Sequence, residues 1–300
     1  MNLIQLRVFD TVMRAGSVTA AGRRLHVTQP AVTNHLKALE DYYDVSLFRR
    51  EGRRLVATAL GHELAEISGR LFALEEQAVD LLEATKALQR GIVRIASDGP
   101  YLLVPIVKAF RERFPGVRVD LRIANTQDVQ ALLLAERCDV TIQAHREDDP
   151  RVHAVPLADF ELIVFVNTDH AWARERRTSA SIEEVAARGM VVRDPGSTTR
   201  RVFDEACAAA GLHPDYVIET TSRETVKEAV AAGLGIGVVA GYELRDDPRF
   251  WPLRVTGADL SFTEEVQCLN RRRNMRVVRE FLNVTADVVA QGGIPIVAAG

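Results

Sequence analysis

A row of apolar residues that repeats every seven positions constrains the fold of this chain more than any other feature. After Thr58, apolar residues follow one another at alternating spacings of four and three: Leu60, Leu64, Ile67, Leu71, Leu74, Ala78 and Leu81. This spacing predicts a single helix of about 30 residues, roughly 45 Å long at 1.5 Å per residue. Because a coiled coil buries such a row, we predict that the helix pairs with a second copy of the chain. Packing against the chain's own body is the alternative.

The charge of the chain changes sign where this helix begins. Residues 1–60 carry a net charge of +4 and the remaining 240 residues carry −7, although the total is only −3. A basic segment on an acidic body is typical of a protein that binds nucleic acid. The near-neutral total therefore does not argue against DNA binding.

The basic segment has the pattern of short helices. Ser17 and Thr28 are residue types that cap helix N-termini, and they predict helices over Val18–Leu25 and about 29–43. Two short helices joined by a tight turn form a helix-turn-helix, whose second helix offers polar side chains to base edges in the major groove. Residues 49–58 then predict a hairpin that turns at Gly52 and carries four arginines, a basic wing suited to phosphates or a minor groove.

Residues 1–60 resemble the winged helix-turn-helix of LysR-type transcriptional regulators. The resemblance rests on the stretches SVTAAGRRLHVTQPAVTNHLKALE and LFRREGRRLVATALG and extends over the whole chain. It implies a homodimer, or a tetramer of two dimers, on a pseudo-palindromic operator in double-stranded promoter DNA, with RNA polymerase as a further partner. Mapped onto this sequence, it implies phosphate contacts by Arg50 and Arg53. The other DNA-binding residues expected are Ser17, Thr28, Gln29, Pro30, Ala31, Thr33, Asn34 and Lys37.

Residues 91–300 alternate strands and helices, which predicts parallel sheets and an α/β fold overall. The resemblance implies a two-lobed effector domain like a periplasmic binding protein. The predicted organisation is an all-α-rich winged helix-turn-helix head at 1–58, a linker and dimerisation helix at 59–90, and an effector-binding domain at 91–300. Lobe one comprises 91–162 and 267–300, and lobe two comprises 163–266.

Polar residues follow several of the predicted strands, at the edge where open parallel sheets bind ligands. The turn Gly196-Ser197-Thr198-Thr199-Arg200 offers donors suited to an anion, and Asp98 offers an acceptor for a cation. Helix capping is the alternative role for the turn and for Asp98. The expected effector-binding residues are Ser97, Asp98, Tyr101, Asn125, Thr126, Gln143, Ser197, Thr198, Thr199, Arg200, Ser222 and Arg223.

A narrower resemblance concerns the effector. The stretches SDGPYLLVPIVKAFRERFPGVRVDLRIANTQDV and VVRDPGSTTRRVFDEACAAAGL are similar to LysR-type regulators associated with 2-aminoethylphosphonate catabolism. The implied effector is a zwitterion with an amine and a phosphonate. Another small carboxylate or an amino acid remains the alternative. The chain departs from the broader family at Ala240-Gly241-Tyr242, where proline is frequent.

Other classes of protein find little support in the sequence. The histidines, serines and cysteines stand in no nucleophile–base or metal-binding spacing, so we expect neither an enzyme nor a cofactor or metal. An enzyme on the two-lobed body is the least favoured alternative. A redox-sensing regulator that uses Cys207 is another, although no second cysteine lies nearby in sequence. The sequence shows no signal peptide and no run of about 18 apolar residues, so we expect a cytoplasmic protein without a membrane partner.

Overall fold

The computed structural model describes residues 2–51, 54–82, 91–145, 148–244 and 247–293. The chain divides into two compact units: Met1–Ala87 with Arg271–Arg276, and Leu88–Asn270 with Val277–Gly300. Within the described ranges, no helix is both long enough and apolar enough to cross a membrane.

The first unit combines four helices with a pair of antiparallel strands. Its elements are α1 (Leu3–Ala15), α2 (Val18–Leu25), α3 (Gln29–Tyr43), β1 (Phe48–Glu51), β2 (Arg54–Ala57) and α4 (Ala59–Leu82). The helices enclose one apolar core, formed by Leu6, Phe9, Val12, Ala21, Val32, Leu36, Leu39, Leu47 and Phe72. The predicted helix-turn-helix is confirmed, with α2 and α3 at the expected bounds.

Local chemistry sets where these helices begin and how tightly they turn. The Ser17 hydroxyl accepts a hydrogen bond from the N–H three residues later at 3.1 Å, and Thr28 does the same at 3.4 Å. Each hydroxyl satisfies one of the N–H groups that a helix start leaves unpaired. Gly22 lies within α2, and a Cβ there would lie 2.9 Å from the carbonyl oxygen of Val27 in the following turn, so this close approach requires glycine.

Glu40 and Thr58 hold the two strands against the helices. The Glu40 carboxylate accepts hydrogen bonds from the N–H groups of Leu47 at 2.7 Å and Phe48 at 3.1 Å, which fixes the entry into β1. The Thr58 hydroxyl accepts from the N–H of Gly61 at 3.0 Å and caps α4. A side chain at Gly61 would collide with the carbonyl oxygen of Leu47, so this junction also requires glycine.

The helix α4 carries the seven-residue row and divides it between two environments. Leu64 and Leu71 are partly buried against the core of the first unit. Leu60, Ile67 and Leu74, seven residues apart, are 44%, 53% and 64% exposed. Among the row residues whose side chains are described, packing on the chain's own body thus holds for Leu64 and Leu71, whereas Leu60, Ile67, Leu74 and Ala78 are exposed. The predicted continuation of this helix over residues 83–90 lies outside the described residues.

The second unit is built from strands and helices in alternation. The strands are β3 (Gly91–Ser97), β4 (Val117–Ile123), β5 (Val140–Ala144), β6 (Val152–Asn167), β7 (Ser179–Ser181), β8 (Gly189–Arg193), β9 (Asp215–Thr220), β10 (Ile236–Ala240), β11 (Phe250–Thr256) and β12 (Ser261–Leu269). The helices are α5 (Pro100–Arg113), α6 (Thr126–Leu134), α7 (Ala171–Arg174), α8 (Ile182–Ala186), α9 (Thr198–Ala209), α10 (Arg223–Ala231), α11 (Gly241–Leu244) and α12 (Arg276–Ala290).

The strands form two lobes that share β6. The main path of strands is β4-β3-β5-β12-β6-β10-β8-β9, and β11 joins β6 to β7. Pairing is parallel among β3, β4 and β5 and among β8, β9 and β10, as the sequence predicts. The first part of β6 pairs with β12 and its last part with β10 and β11, so one strand crosses from lobe to lobe.

Several elements of the second unit differ from the prediction. β12 runs from Ser261 to Leu269 and pairs with β5 and β6 of the first lobe. The lobe boundary placed at 266/267 therefore cuts through this strand. The sequence did not predict β7 or β11. β7 has three residues, and Pro252 lies inside β11, which weakened its strand pattern.

Candidate DNA interface and ligand cleft

The helix α3 presents a polar face to solvent. Its apolar residues Val32, Leu36 and Leu39 are buried in the core. Pro30 is exposed in the first turn and Ala31 is half-buried. The exposed side chains on the opposite face are Gln29, Thr33, Asn34 and Lys37. These are the side chains that sequence reasoning assigned to base contacts, and the fold leaves them accessible.

The remaining residues expected to bind DNA fall into two groups. Ser17 and Thr28 are exposed, but their hydroxyls cap α2 and α3 and so hold the backbone of both helices in place. Arg50 belongs to β1, the first strand of the predicted wing. Arg53 and the hairpin turn lie outside the described residues.

In the second unit, polar residues from the two lobes meet at the ends of the parallel strands. The Asp98 carboxylate accepts hydrogen bonds from the Thr126 hydroxyl at 3.0 Å and from the N–H of Ala144 at 3.1 Å. The Thr126 hydroxyl also lies 2.8 Å from that of Thr198 in the other lobe. The fold thus brings together three of the residues predicted from the sequence, Asp98, Thr126 and Thr198. They form a buried bridge across the cleft.

A second bridge flanks the first. The amide of Asn125 donates to the Asp194 carboxylate at 2.7 Å, and the N–H of Gln127 donates to the carbonyl oxygen of Gly196 at 3.1 Å. Asn125 also caps α6 through its side-chain oxygen. The lobes are therefore joined by hydrogen bonds at two adjacent points.

An ion pair lies beneath these bridges. The Arg223 guanidinium donates from Nε to both carboxylate oxygens of Glu243 at 3.0 Å, and it also donates to the carbonyl oxygen of Asp98. Burial alone would lower the pKa of Arg223, but the charges of Glu243 and Asp98 raise it above its ordinary value. Lys227 donates to the Tyr101 hydroxyl at 3.1 Å and to the carbonyl oxygen of Glu243 at 2.6 Å.

Sequence reasoning missed an acidic residue of this cluster, Glu264. Tyr242 donates its hydroxyl proton to Glu264 Oε1 at 3.0 Å, while Oε2 has no hydrogen-bond partner among the described residues. Only 3% of Glu264 is exposed. Burial, and next the neighbouring charge of Asp98, raise the pKa of Glu264 well above its ordinary value. Glu264 stands about 165 residues after Asp98 in the sequence, so no local motif connects them.

Sequence reasoning also missed Arg193, the last residue of β8. It is 5% exposed, and its Nη2 lies 3.6 Å from the Asp194 carboxylate. Within the described part of the chain, Nε and Nη1 of this guanidinium have no hydrogen-bond partner. Burial and the charge of Arg223 lower the pKa of Arg193. Its position at the carboxyl end of a parallel strand was the signal that could have identified it.

Arg200 was expected to face the cleft, and the structure corrects this expectation. Its Nε lies 2.7 Å from the Asp204 carboxylate and its Nη1 lies 3.0 Å from that of Glu219. The guanidinium also lies over the ring of Tyr216, 3.9 Å from the ring centre. Three partners on lobe two therefore hold this side chain, whereas the guanidinium groups of Arg193 and Arg223 are the ones close to Asp98.

The other predicted cleft residues have local partners. Ser197 and Ser222 cap α9 and α10, and the Ser197 hydroxyl lies 3.3 Å from that of Thr199. The Ser97 hydroxyl donates to the carbonyl oxygen of Gly99 at 2.7 Å. Gln143 is buried and donates to Gln267 at 2.8 Å. For Ser197 and Ser222, capping is thus the observed role.

Cys207 lies on α9, where it is buried. Burial, with a smaller effect of the Asp204 charge, raises the pKa of its thiol to about 11. Because the thiolate is the form that reacts with oxidants, this environment opposes the redox role considered above.

Comparison with known protein families matches both units. Residues 3–62 match the bacterial regulatory helix-turn-helix protein of the lysR family, and residues 86–290 match the LysR substrate binding domain. The RuBisCO operon transcriptional regulator of Allochromatium vinosum is 32% identical over 242 residues, which is 80% of each chain. The HTH-type transcriptional regulator CbbR of Xanthobacter flavus is 31% identical over 259 residues, which is 84% of this chain and 77% of that protein.

Solved structures share the fold at lower identity. A full-length variant of OxyR from Pseudomonas aeruginosa has a TM-score of 0.78 at 20% identity, covering 95% of this chain and 94% of that one. Full-length CbnR in complex with its target DNA has a TM-score of 0.55 at 22% identity, covering 96% and 99%. The regulatory domain of Synechocystis CcmR in complex with 2-PG has a TM-score of 0.61 at 20% identity, covering 67% and 98%.

Proposed function

Because this chain belongs to the LysR family of bacterial transcriptional regulators, we propose that it controls a catabolic promoter in response to a small anionic or zwitterionic effector. It is a DNA-binding regulator with an effector-binding domain and not an enzyme. In this proposal a homodimer, or a tetramer of two dimers, binds the operator in the cytoplasm. The effector enters the cleft and shifts the lobes. The linker helices then alter DNA bending and access for RNA polymerase.

The exposed polar face of α3 supports the DNA contacts of this proposal. Gln29 and Asn34 carry amides of the type that hydrogen-bond adenine edges, and Lys37 carries a charge for a phosphate. Arg50 and Arg53 of the wing extend the same contacts to the backbone of the operator.

The exposed half of the α4 row supports the dimer. Leu60, Ile67 and Leu74 repeat at the spacing by which two helices form a coiled coil. Burying three large aliphatic side chains in this way would stabilise the dimer by roughly 1.5–3 kcal/mol each.

The proposal of an effector in the cleft rests on the buried bridge that Asp98, Thr126 and Thr198 form between the two lobes. A ligand that competes for these hydrogen bonds changes how the lobes are joined. Ligand binding is thereby coupled to the relative orientation of the two lobes. Among small zwitterions, 2-aminoethylphosphonate is our leading candidate, because its amine and phosphonate suit the mixed charges of the cleft. Another small carboxylate or an amino acid is the alternative. CcmR, which shares the fold of this domain, was solved with the small molecule 2-PG.

Two measurements on the full chain test the proposal. A gel-shift titration against the promoter of its own gene and its divergent neighbour should show binding that weakens steeply with salt. Thermal-shift screening should show a rise in melting temperature with 2-aminoethylphosphonate and none with ethylamine. Binding to neither promoter would contradict the operator assignment, and a panel of zwitterions and carboxylates without any shift would contradict the effector assignment.

A further inference from the structure

We infer that Arg193 and Glu264 bind the two opposite charges of a short zwitterion in the cleft, Arg193 its anionic group and Glu264 its ammonium group. The inference rests on the proposed effector function of the cleft and gives that site specific binding groups. Arg193 lies in the stretch VVRDPGSTTRRVFDEACAAAGL, and Glu264 lies in none of the stretches that carry the resemblance.

Arg193 can bind an anion, because the protein leaves some of its N–H donors without a hydrogen-bond acceptor among the described residues. A guanidinium carries five N–H donors in a planar fork that matches carboxylates and phosphonates. In Arg193 both Nε and Nη1 are buried without a hydrogen-bond partner among the described residues. Burying unpaired donors of a charged group is costly, so the fold retains here a group whose partners a ligand can supply.

Arg223 shows what a saturated arginine looks like in the same cleft. It is held by both oxygens of Glu243 and by the carbonyl oxygen of Asp98. Its positive charge is close enough to lower the pKa of Arg193. Arg223 is hydrogen-bonded to its counter-charge, whereas the Asp194 carboxylate lies 3.6 Å from Arg193 Nη2 and leaves Nε and Nη1 of Arg193 without a hydrogen-bond partner among the described residues, so the anionic end of a ligand is directed to Arg193.

Glu264 offers the complementary acceptor. Tyr242 fixes one carboxylate oxygen, and the other is buried without a hydrogen-bond partner in the described residues. Asp98 lies nearby and is the main charge that disfavours ionisation of Glu264. An ammonium group, with three donors and a positive charge, would relieve this repulsion and favour the ionised carboxylate.

Asp98 connects the two receptors. The Asp98 carboxylate accepts from the N–H of Ala144, the residue that pairs with Glu264 across β5 and β12. It also accepts from the Thr126 hydroxyl, and the adjacent Asn125 donates to Asp194, the neighbour of Arg193 in the chain. A ligand that contacts both receptors therefore carries an anionic and a cationic group in one molecule. This geometry favours an ω-amino acid with a phosphonate, sulfonate or carboxylate over a singly charged molecule.

The test is isothermal titration of the full chain with 2-aminoethylphosphonate and with ethylphosphonate, which lacks the amine. Arg193→Met should weaken the binding of both probes by about tenfold or more. Glu264→Gln should weaken 2-aminoethylphosphonate by a similar factor and leave ethylphosphonate unchanged. The matched controls are Arg177→Met and Glu184→Gln, an ion pair of lobe two in which Glu184 is exposed and Arg177 is half-buried, and both should leave both probes unchanged.

Melting temperatures separate binding from folding. Since Arg193→Met and Glu264→Gln each remove a buried group with an unpaired atom, neither should lower the melting temperature of the ligand-free chain. If Arg193→Met fails to fold, Arg193→Lys keeps the charge but loses the fork, and it should bind both probes about tenfold more weakly.

The failures are distinguishable. If the wild-type chain binds 2-aminoethylphosphonate and the Arg193 or Glu264 variants bind it equally well, this inference is overturned while the proposed effector function stands. If the wild-type chain binds neither probe, nor taurine, nor β-alanine, both are overturned. A Glu264→Gln variant that loses ethylphosphonate as strongly as 2-aminoethylphosphonate overturns the assignment of the ammonium group.

Discussion

The DNA-facing helix and the ligand cleft place their functional side chains in opposite environments. On α3, Gln29, Asn34 and Lys37 project into solvent from a helix whose other face forms the core. In the cleft, Arg193 and Glu264 are buried among other charges. The exposed side chains can change without affecting the fold, whereas a change in the cleft that leaves a buried charge without its partner, as at Glu243, destabilises the fold. Recognition and stability are therefore separable in the head, whereas in the cleft the buried ion pair that stabilises the fold lies beside the groups that we infer bind the ligand.

The largest expected effect is a loss of unfolding free energy on breaking the buried ion pair of Arg223 and Glu243. Glu243→Gln removes the partner of Arg223 and leaves a buried guanidinium without its counter-charge. Breaking such a pair costs roughly 3–5 kcal/mol. Urea unfolding of the second unit, followed by tryptophan fluorescence, should show this loss. The exposed Glu184→Gln serves as the control and should leave the transition in place; equal losses from the two variants would refute this role of the buried pair.

The next effect depends on pH and should be smaller, because a buried carboxyl can take up a proton where a guanidinium cannot. Glu264 is faced by Tyr242, Asp98, Glu243 and Arg223, and its pKa in the fold is raised above the usual 4.5. The folded protein holds this proton more tightly than the unfolded chain. The group therefore favours folding fully below pH 4.5, and this contribution is lost as the pH rises through the folded-state pKa.

Unfolding free energies of the wild type and Glu264→Gln, measured across this range, should show that the wild type loses stability relative to the variant as the pH rises. Parallel curves would mean that Glu264 is ionised in the fold as readily as in the unfolded chain.

The head offers the converse case, in which binding is lost without a loss of stability. Gln29→Ala and Asn34→Ala should each weaken binding to the operator by about 1–3 kcal/mol if they contact bases bidentately. Their melting temperatures should match the wild type, since both side chains are exposed. Binding to non-specific DNA, the control, should be unaffected. A variant that weakens both DNAs equally would assign its side chain to the phosphate backbone instead.

The smallest effect is expected at a helix cap of the head, where an exposed side chain stabilises the fold. Ser17→Ala removes the cap of α2 and should cost about 1 kcal/mol of head stability. Ser17→Asn restores a capping oxygen and should recover the stability. Operator affinity that recovers with it identifies capping as the role of Ser17 in DNA binding. Affinity that stays low in the asparagine variant would indicate a direct contact of the hydroxyl with DNA.

The head could be predicted from the sequence because its geometry depends on near neighbours. Ser17 and Thr28 act on N–H groups three residues away, and Gly22 and Gly61 permit contacts with adjacent segments. Capping preferences and helical periodicity contain this information directly. The caps Ser17 and Thr28, together with the apolar spacing of the two helices, predicted the bounds of α2 and α3.

The cleft could be predicted only in part, because long-range topology selects among similar side chains. Asp98, Thr126 and Thr198 follow strands or begin helices, so strand-end reasoning located them. The same reasoning favoured Arg200 over Arg193, since a serine–threonine turn stands directly before it. Its contact with Asp204 is a local i,i+4 pair within α9, whereas its contact with Glu219 depends on where β9 lies, which one sequence does not reveal.

The single strand β6, shared by both lobes, has a mechanical consequence. It is hydrogen-bonded to β12 in one lobe and to β10 and β11 in the other, so there is no free linker at this crossing. A relative rotation of the lobes must therefore be absorbed as torsion along a paired strand. Because a paired strand resists torsion, β6 should return the lobes to a preferred angle when the ligand leaves the cleft. The strand thereby confines the lobes to small, reproducible rotations instead of free tumbling.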